Sequence, residues 1–232
     1  MKELKHENLV QFFGVCNEPP NICIVIQYCK KGSLKDVLRN SEIELDWMFK
    51  LSFAYDIGME YIHRSSLKSH GNLKSNTCLV DSRLQIKLSG FGLWEFKHGT
   101  QHRLIPLENP KYEEMYWIAP ELLREVCLPF NGTQKGDVFS FAIIMRELIY
   151  STEVGPYHDI QLEPKGKAQM CDEALITLLT ACWSENPDQR PPFSSIRRDF
   201  SKCSGWSESK KSPKMEILNA VMNYLYLVTV HH

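Results

Sequence analysis

The sequence predicts an α+β fold, on three observations. Residues 9–15 and 22–28 are apolar, strand-like runs on either side of a turn-rich stretch, Asn17-Glu18-Pro19-Pro20-Asn21. Residues 78–80 and 85–88 are two shorter strand-like runs joined by Asp81-Ser82-Arg83. From Pro120 onward the pattern is helical, so the strands gather at one end of the chain and the helices follow, as in α+β domains.

Each element has its own local reason. The first pair of runs forms a hairpin, and the continuous apolar run 22–28 reads as a buried strand. A two-stranded ribbon is marginal in water, so a covering layer is expected upstream. Ser33 is the N-cap of a helix to about Arg39. Asp46 caps a longer one through Ile62-His63, with apolar positions 47, 51, 54, 57/58 and 61/62 at helical spacing. The later helices are expected over residues 120–126, 136–150, 172–183 and 192–200, with loop from Gly90 to about Tyr116. No internal repeat is present.

Composition narrows the function classes. The 232 residues carry 27 Lys+Arg against 28 Asp+Glu, a net charge of −1, which removes the electrostatic case for nucleic acid or an anionic membrane as the main partner. No apolar run approaches the roughly 18 residues of a membrane span, and no signal-peptide pattern opens the chain. The cysteines at 16, 23, 29, 78, 127, 171, 182 and 203 show no zinc spacing and no C-x-x-C pair, and Cys23 and Cys182 sit in apolar runs. They are expected to be reduced, buried, small hydrophobes, not a disulfide framework. In a reducing compartment the Asn131-Gly132-Thr133 sequon is inert.

Five motifs carry a resemblance. His70-Gly71-Asn72-Leu73-Lys74 with Thr77, then Ile86-Lys87-Leu88-Ser89-Gly90-Phe91-Gly92, then Ala119-Pro120-Glu121 stand in the order of the H-R-D-L-x-x-x-N, D-F-G and A-P-E set of protein kinases. Lys135-Gly136-Asp137-Val138-Phe139-Ser140-Phe141 resembles the start of the kinase central helix. Cys182-Trp183 through Asp188-Gln189-Arg190-Pro191 resembles the late C-W-x-x-x-P-x-x-R-P stretch. His-Gly-Asn-Leu-Lys in place of H-R-D-L-K, followed by Cys78-Leu79-Val80-Asp81-Ser82-Arg83, is similar to the kinase-homology domain of membrane receptor guanylyl cyclases. Gln134 to Ser140 and Glu185-Asn186-Pro187 fit that family as well.

The resemblance implies a bilobal kinase-like fold: an incomplete N-lobe over residues 1–29 and a mostly helical C-lobe over 30–204. A linker at 205–213 and the start of a dimerisation helix at 214–232 follow, the latter ahead of a cyclase domain that the 232 residues do not include. It also implies residue roles. Glu121 and Arg190 match a buried ion pair, and Phe12, His70 and Phe91 three positions of a stacked apolar spine. Ile26 resembles the gatekeeper, Gln27 to Cys29 the hinge that meets adenine, and Leu79 the floor beneath the base; for Ile26 and Leu79 plain core packing remains open. Asp137 matches the anchor of the catalytic-loop backbone, with helix N-capping as the alternative.

The chemistry of phosphoryl transfer is not matched. It needs a carboxylate base, a carboxylate and an amide on magnesium, and a lysine on the phosphates. Asn72 stands where the base belongs and cannot accept a proton at physiological pH. Gly90 replaces the D-F-G aspartate, and Thr77 the catalytic-loop asparagine. The resemblance places the glycine-rich loop and the strand lysine upstream of Met1. The expectation is a regulatory pseudokinase with no catalytic residues and no metal, at best a half-formed ATP site, and a role in relaying a signal to cGMP synthesis in a longer parent. An active kinase of unusual type and a non-functional truncated fragment are the alternatives.

Departures from the family are visible too. Residues 56–63 are about two residues short, and a helix with its loop is missing between Pro164-Lys165 and Asp172-Glu173. Ile217, Val221, Leu225 and Val228 make an apolar stripe, from which a homodimer contact is expected over residues 214–230. The expected partners are thus a second parent chain and the parent's cyclase domain, with no nucleic acid and no membrane span in this chain. The parent is expected at the cytoplasmic face of the plasma membrane, and this fragment in the cytosol.

Overall fold

The structure, a computed structural model, describes residues 3–40, 42–43, 45–57, 60–92, 115–125, 131–150 and 173–202. It shows an α+β, kinase-like arrangement with a partial N-lobe, built on two small antiparallel sheets and a helical body.

Strands β1 (Phe12–Glu18) and β2 (Asn21–Ile26) form the first hairpin, turning through a cis Pro19–Pro20 peptide. Pairing runs from Glu18 opposite Asn21 through Cys16 opposite Cys23 to Phe12 opposite Ile26, with an irregularity between Phe12 and Gly14. The expectation of a buried second strand is overturned. Phe13, Val15, Ile22, Val25, Ile26 and Tyr28 are exposed, Tyr28 at 84%. Neighbours on opposite faces of β2, Val25 and Ile26, are both exposed and only Ile24 is half-buried, so the two-stranded ribbon lacks a layer packed on either face of this strand among the described residues. The same exposure corrects the cysteine expectation, for Cys23 is exposed and Cys16 half-buried, while Cys29, Cys78 and Cys182 are buried.

The second hairpin, β3 (Cys78–Val80) and β4 (Ile86–Leu88), is turned by Asp81, whose Oδ1 accepts the amides of Arg83 and Gln85 at 2.8 and 3.0 Å. Two extended segments join its edges. Val10 donates to the Leu88 carbonyl at 3.0 Å and Leu88 to that of Asn8 at 2.7 Å. On the other side Lys31 donates to Val80 at 3.1 Å and Val80 to Gly32 at 2.8 Å. The chain on both sides of the first hairpin is therefore stitched to one small platform.

Helix α1 (Leu34–Arg39) starts at Ser33 with a reciprocal cap: Ser33 Oγ accepts the Asp36 amide at 3.2 Å, and Asp36 Oδ2 accepts that of Ser33 at 2.8 Å. The Ser33 hydroxyl, 2.6 Å from Asp36 Oδ2, and then the Ser33 amide hold the Asp36 carboxyl below its usual range. Helix α2 (Trp47–Ile57) starts at Asp46, whose carboxylate accepts the Phe49 amide at 2.9 Å. The long helix expected to reach His63 is described in two pieces, α2 and then α3 (Glu60–Arg64).

Helices α4 (Pro120–Leu123), α5 (Gln134–Tyr150), α6 (Glu173–Cys182) and α7 (Phe193–Lys202) make the body. α5 is buried from Gly136 to Ile149, with α2 and α6 packed against it. An amphipathic helix would show one polar face; this one is the axis of the core. It starts two residues earlier than expected because Thr133 caps it, its Oγ1 accepting the Gly136 amide at 2.9 Å. α7 turns Phe193, Ile196 and Phe200 inward, and Phe141 meets Phe193 and Phe200 edge-on at 5.4 and 6.0 Å. Among the described residues no helix is long and apolar enough to cross a membrane. The linker and the helix expected over 205–232, the loop from Leu93 to Glu114, and Cys127, Cys171 and Cys203 lie outside the described residues.

Candidate functional site

The site is built around the loop from Ser69 to Thr77, where the chain runs from α3 to β3. Asp137, near the start of α5, receives the His70 amide on Oδ2 at 2.8 Å and the Gly71 amide on Oδ1 at 2.9 Å. Because Thr133 already caps α5, the Asp137 carboxylate is available to this loop. His63 of α3 places its Nε2 2.9 Å from the same Oδ2. Gly71 has a φ of +70°, and a Cβ there would lie 2.1 Å from the Asn131 carbonyl oxygen. Gly132 faces it, with a Cβ position 2.7 Å from the Gly71 Cα. The two glycines let the backbones touch, which is why a larger residue in the second position of the motif does not fit here.

The three positions expected to be chemically degenerate come together. Thr77 Oγ1 accepts the Lys74 amide at 3.0 Å and lies 2.9 Å from the carbonyls of Asn72 and Lys74, one of which takes its proton. Gly90 has a φ of +76°, and a Cβ there would stand 3.2 Å from Thr77 Cγ2 and 3.4 Å from Asn72 Nδ2. Ser89 donates its amide and its hydroxyl to the Thr77 carbonyl, at 2.8 and 3.0 Å. An amide, a hydroxyl and a bare backbone face one another where general base and metal ligands would be needed. None of the three can carry a negative charge. Among the described residues no group of three or more His, Cys, Asp or Glu could hold a metal ion.

His70 is buried, with its Nδ1 3.2 Å from the Asn72 amide and its ring edge-on to Phe91 at 5.8 Å. Burial lowers its pKa, against the pull of the Asp137 carboxylate. The adjacency of His70 and Phe91 matches two of the three spine positions; Phe12 is half-buried on β1, paired with Ile26.

The four residues expected at a base-binding cleft fall into two groups. Cys29 and Leu79 belong to neighbouring segments: the Cys29 carbonyl accepts the Gly32 amide at 3.2 Å, and Ser33, next along, bridges to Leu79 of β3. Burial raises the Cys29 thiol pKa, helped by the Asp81 carboxylate. Ile26 and Gln27 stand at the base of the first hairpin, where the Gln27 amide donates to the Gln11 carbonyl at 2.8 Å. Ile26 is exposed, which removes core packing as its explanation, and Leu79 is half-buried.

Two participants are absent from the sequence argument. Glu147, deep in α5, accepts from Ser75 Oγ at 3.0 Å on one oxygen and from Trp117 Nε1 at 2.9 Å on the other. It ties the loop to the segment before α4. Burial pushes its pKa up to about 7. The signal for it was an acid, next to Arg146, within a helix whose stretch from Phe141 to Met145 is wholly apolar. His63 had no signal, since its partner lies 74 positions away.

The scaffold agrees with sequence comparison. The family model for protein tyrosine and serine/threonine kinases matches residues 1–200. The chain belongs to the protein kinase family. It is similar over its whole length to Guanylate cyclase 2G of Rattus norvegicus, at 50% identity, and over 88% of its length to that of Mus musculus, at 52%. Atrial natriuretic peptide receptor 2 of Homo sapiens is 38% identical over 89% of the chain. This kinase-homology domain spans about a fifth of the length of those relatives, 22%, 20% and 22% respectively. The rat alignment extends over 251 positions, more than the chain's 232 residues, so that relative carries residues this chain lacks within the matched stretch.

Proposed function

We propose that this chain is the regulatory kinase-homology region of a receptor guanylate cyclase, a pseudokinase that relays a signal to cGMP synthesis without transferring phosphate itself. One observation carries the reading. The kinase scaffold is held together at Asp137 and at the Glu121–Arg190 pair, while Asn72, Thr77 and Gly90 meet with no carboxylate among them. Losing a general base alone removes roughly 10²–10⁴-fold in rate, and here the metal ligand is lost with it. Within this reading ATP binds weakly and without a metal, its base between Ile26, Gln27 and Cys29 above and Leu79 below. The Gln27 amide and the Cys29 carbonyl are already engaged by Gln11 and Gly32, so the base meets the remaining hinge groups. The parent acts as a homodimer through residues 214–232 at the cytoplasmic face of the plasma membrane.

The test is a thermal melt of the chain with and without ATP, run beside a radiolabelled phosphotransfer assay. A cooperative melt raised by ATP, with no transfer, is the expected result. Transfer abolished by a substitution in the cleft overturns the pseudokinase reading. The exposed apolar hairpin favours a second reading, a fragment that folds poorly alone, for which the melt would show no cooperative transition.

A further inference from the structure

The first hairpin sets Cys16 of β1 directly opposite Cys23 of β2. Directly opposed residues in an antiparallel pair have Cα atoms about 4.5 or 5.5 Å apart, according to the hydrogen-bonding site, and both values lie inside the roughly 4.4–6.8 Å that a disulfide spans. Opposed residues also point to the same face of the ribbon, so neither thiol has to cross the backbone to reach the other. Both are free thiols, Cys23 exposed and Cys16 half-buried. Accessibility separates them from the other described cysteines, Cys29, Cys78 and Cys182, all buried.

We propose that Cys16 and Cys23 form a reversible cross-strand disulfide, making the hairpin a thiol–disulfide exchange site for small disulfides of the oxidised glutathione class. The exposed Cys23 loses its proton and attacks one sulfur of oxidised glutathione. A Cys23–glutathione bond forms, the glutathione S–S bond breaks, and the first glutathione leaves as a thiolate that takes up a proton. Cys16, deprotonated in turn, attacks the Cys23 sulfur and expels the second glutathione, which is likewise protonated. Two cysteine thiols are oxidised, one glutathione disulfide is reduced to two thiols, and the protons balance.

The buried cysteines are poor competitors. Burial raises the Cys29 thiol pKa and pushes that of Cys182 up to about 12, leaving little thiolate to attack. The short tether between Cys16 and Cys23, a tight turn, gives the second step a high effective concentration over a further glutathione from solution. Once formed, the bond locks the register of a ribbon whose two faces are otherwise held by few packing contacts.

The 232-residue chain, reduced and then equilibrated in mixtures of reduced and oxidised glutathione, is trapped with an alkylating reagent and mapped by mass spectrometry. Expected is a species lighter by two hydrogen atoms in which Cys16 and Cys23 are protected together, while Cys29 is alkylated after unfolding. Cys16→Ser should raise the fraction of Cys23 held as a glutathione mixed disulfide by about tenfold or more, because the resolving thiol is gone. Cys16→Ala repeats the test with no hydroxyl on the ribbon. Dithiothreitol should return the wild type to two alkylatable thiols. A wild type that accumulates the Cys23 mixed disulfide with Cys16 still free, or a bond to Cys29 or between chains, overturns the proposal.

Discussion

Arg190 grips both carboxylate oxygens of Glu121, Nη1 at 2.7 Å and Nη2 at 2.8 Å, across 69 positions of sequence. The guanidinium is fully buried and its remaining donors reach the carbonyls of Ser184 and Lys135, at 2.8 and 3.1 Å. The fork matches the carboxylate on its own plane, so the pair orients α4 against the turn before α7 as well as neutralising a buried charge.

Removing the acid should therefore cost more than a surface pair would. Glu121→Gln leaves a buried cation facing a neutral amide, and the expected loss is about 3 kcal/mol, at the lower end of the range for buried pairs because Glu121 is partly exposed. Equilibrium urea unfolding of the two proteins reads it; a loss under about 1 kcal/mol would place the pair among ordinary surface contacts.

Glu147 should give stability a pH dependence of unusual sign. Its folded pKa, about 7, lies above the ordinary 4.5, so the folded chain binds the proton more tightly than the unfolded one. The contribution is fully present below pH 4.5 and is lost as pH rises through 7. The whole effect is at most about 3 kcal/mol. His70 works the other way: its lowered pKa favours the neutral ring, and stability falls as pH drops below the ordinary histidine value of 6.5. Comparing wild type with Glu147→Gln at pH 5 and pH 8 isolates the acid, because every other group is shared. The variant should lose less stability than wild type between those pH values; parallel curves would show that Glu147 stays ionised.

Gly71→Ala should be far more damaging than an alanine in an exposed loop. It combines a left-handed backbone angle with a Cβ 2.1 Å from the Asn131 carbonyl, so the backbone itself must shift. The expected cost is about 3 kcal/mol or more. In hydrogen exchange, the His70 and Gly71 amides, protected by Asp137, should lose protection more than those of β4. Unchanged protection would show that the two glycines have room.

Residues 214–230 should support concentration-dependent self-association without a tight dimer. The apolar stripe Ile217, Val221, Leu225 and Val228 is short, and isolated helices below about 12–15 residues are marginal. Sedimentation of the chain with and without residues 214–232 reads it. A monomer at every concentration in both would sink the idea.

The parts of this fold that were legible share one property: their signal is local or ordered along the chain. Ser33 and Asp46 announce their helices within four residues. The Glu121–Arg190 pair and the Asp137 anchor were legible only through motif order, since nothing near Asp137 in sequence says that its carboxylate serves His70 and Gly71. What failed depends on neighbours brought from elsewhere. The apolar run 22–28 looks buried by composition, yet burial is a property of what lies against a strand. Thr133 was overlooked as a cap beside a more conspicuous aspartate. The meeting of Asn72, Thr77 and Gly90 is visible only in the folded chain, and the placement of Ile26 and Leu79 depends on how two hairpins are set.

The platform of β3 and β4 also sets the mechanics of the first hairpin. Its incoming strand is fastened through residues 8–10 to β4, and its outgoing strand through residues 31–33 to β3. Between these two clamps the ribbon is a cantilever roughly 20 Å long, from the seven residues of β1 at about 3.3 Å each. A load at the Pro19–Pro20 tip becomes a torque about the line joining the clamps. That line ends at Leu88 on one side and Val80 on the other, immediately before Ser89-Gly90 and beside Leu79. A force on the ribbon is therefore passed to the edges of this platform, and a crosslink between Cys16 and Cys23 would stiffen the ribbon without touching either clamp.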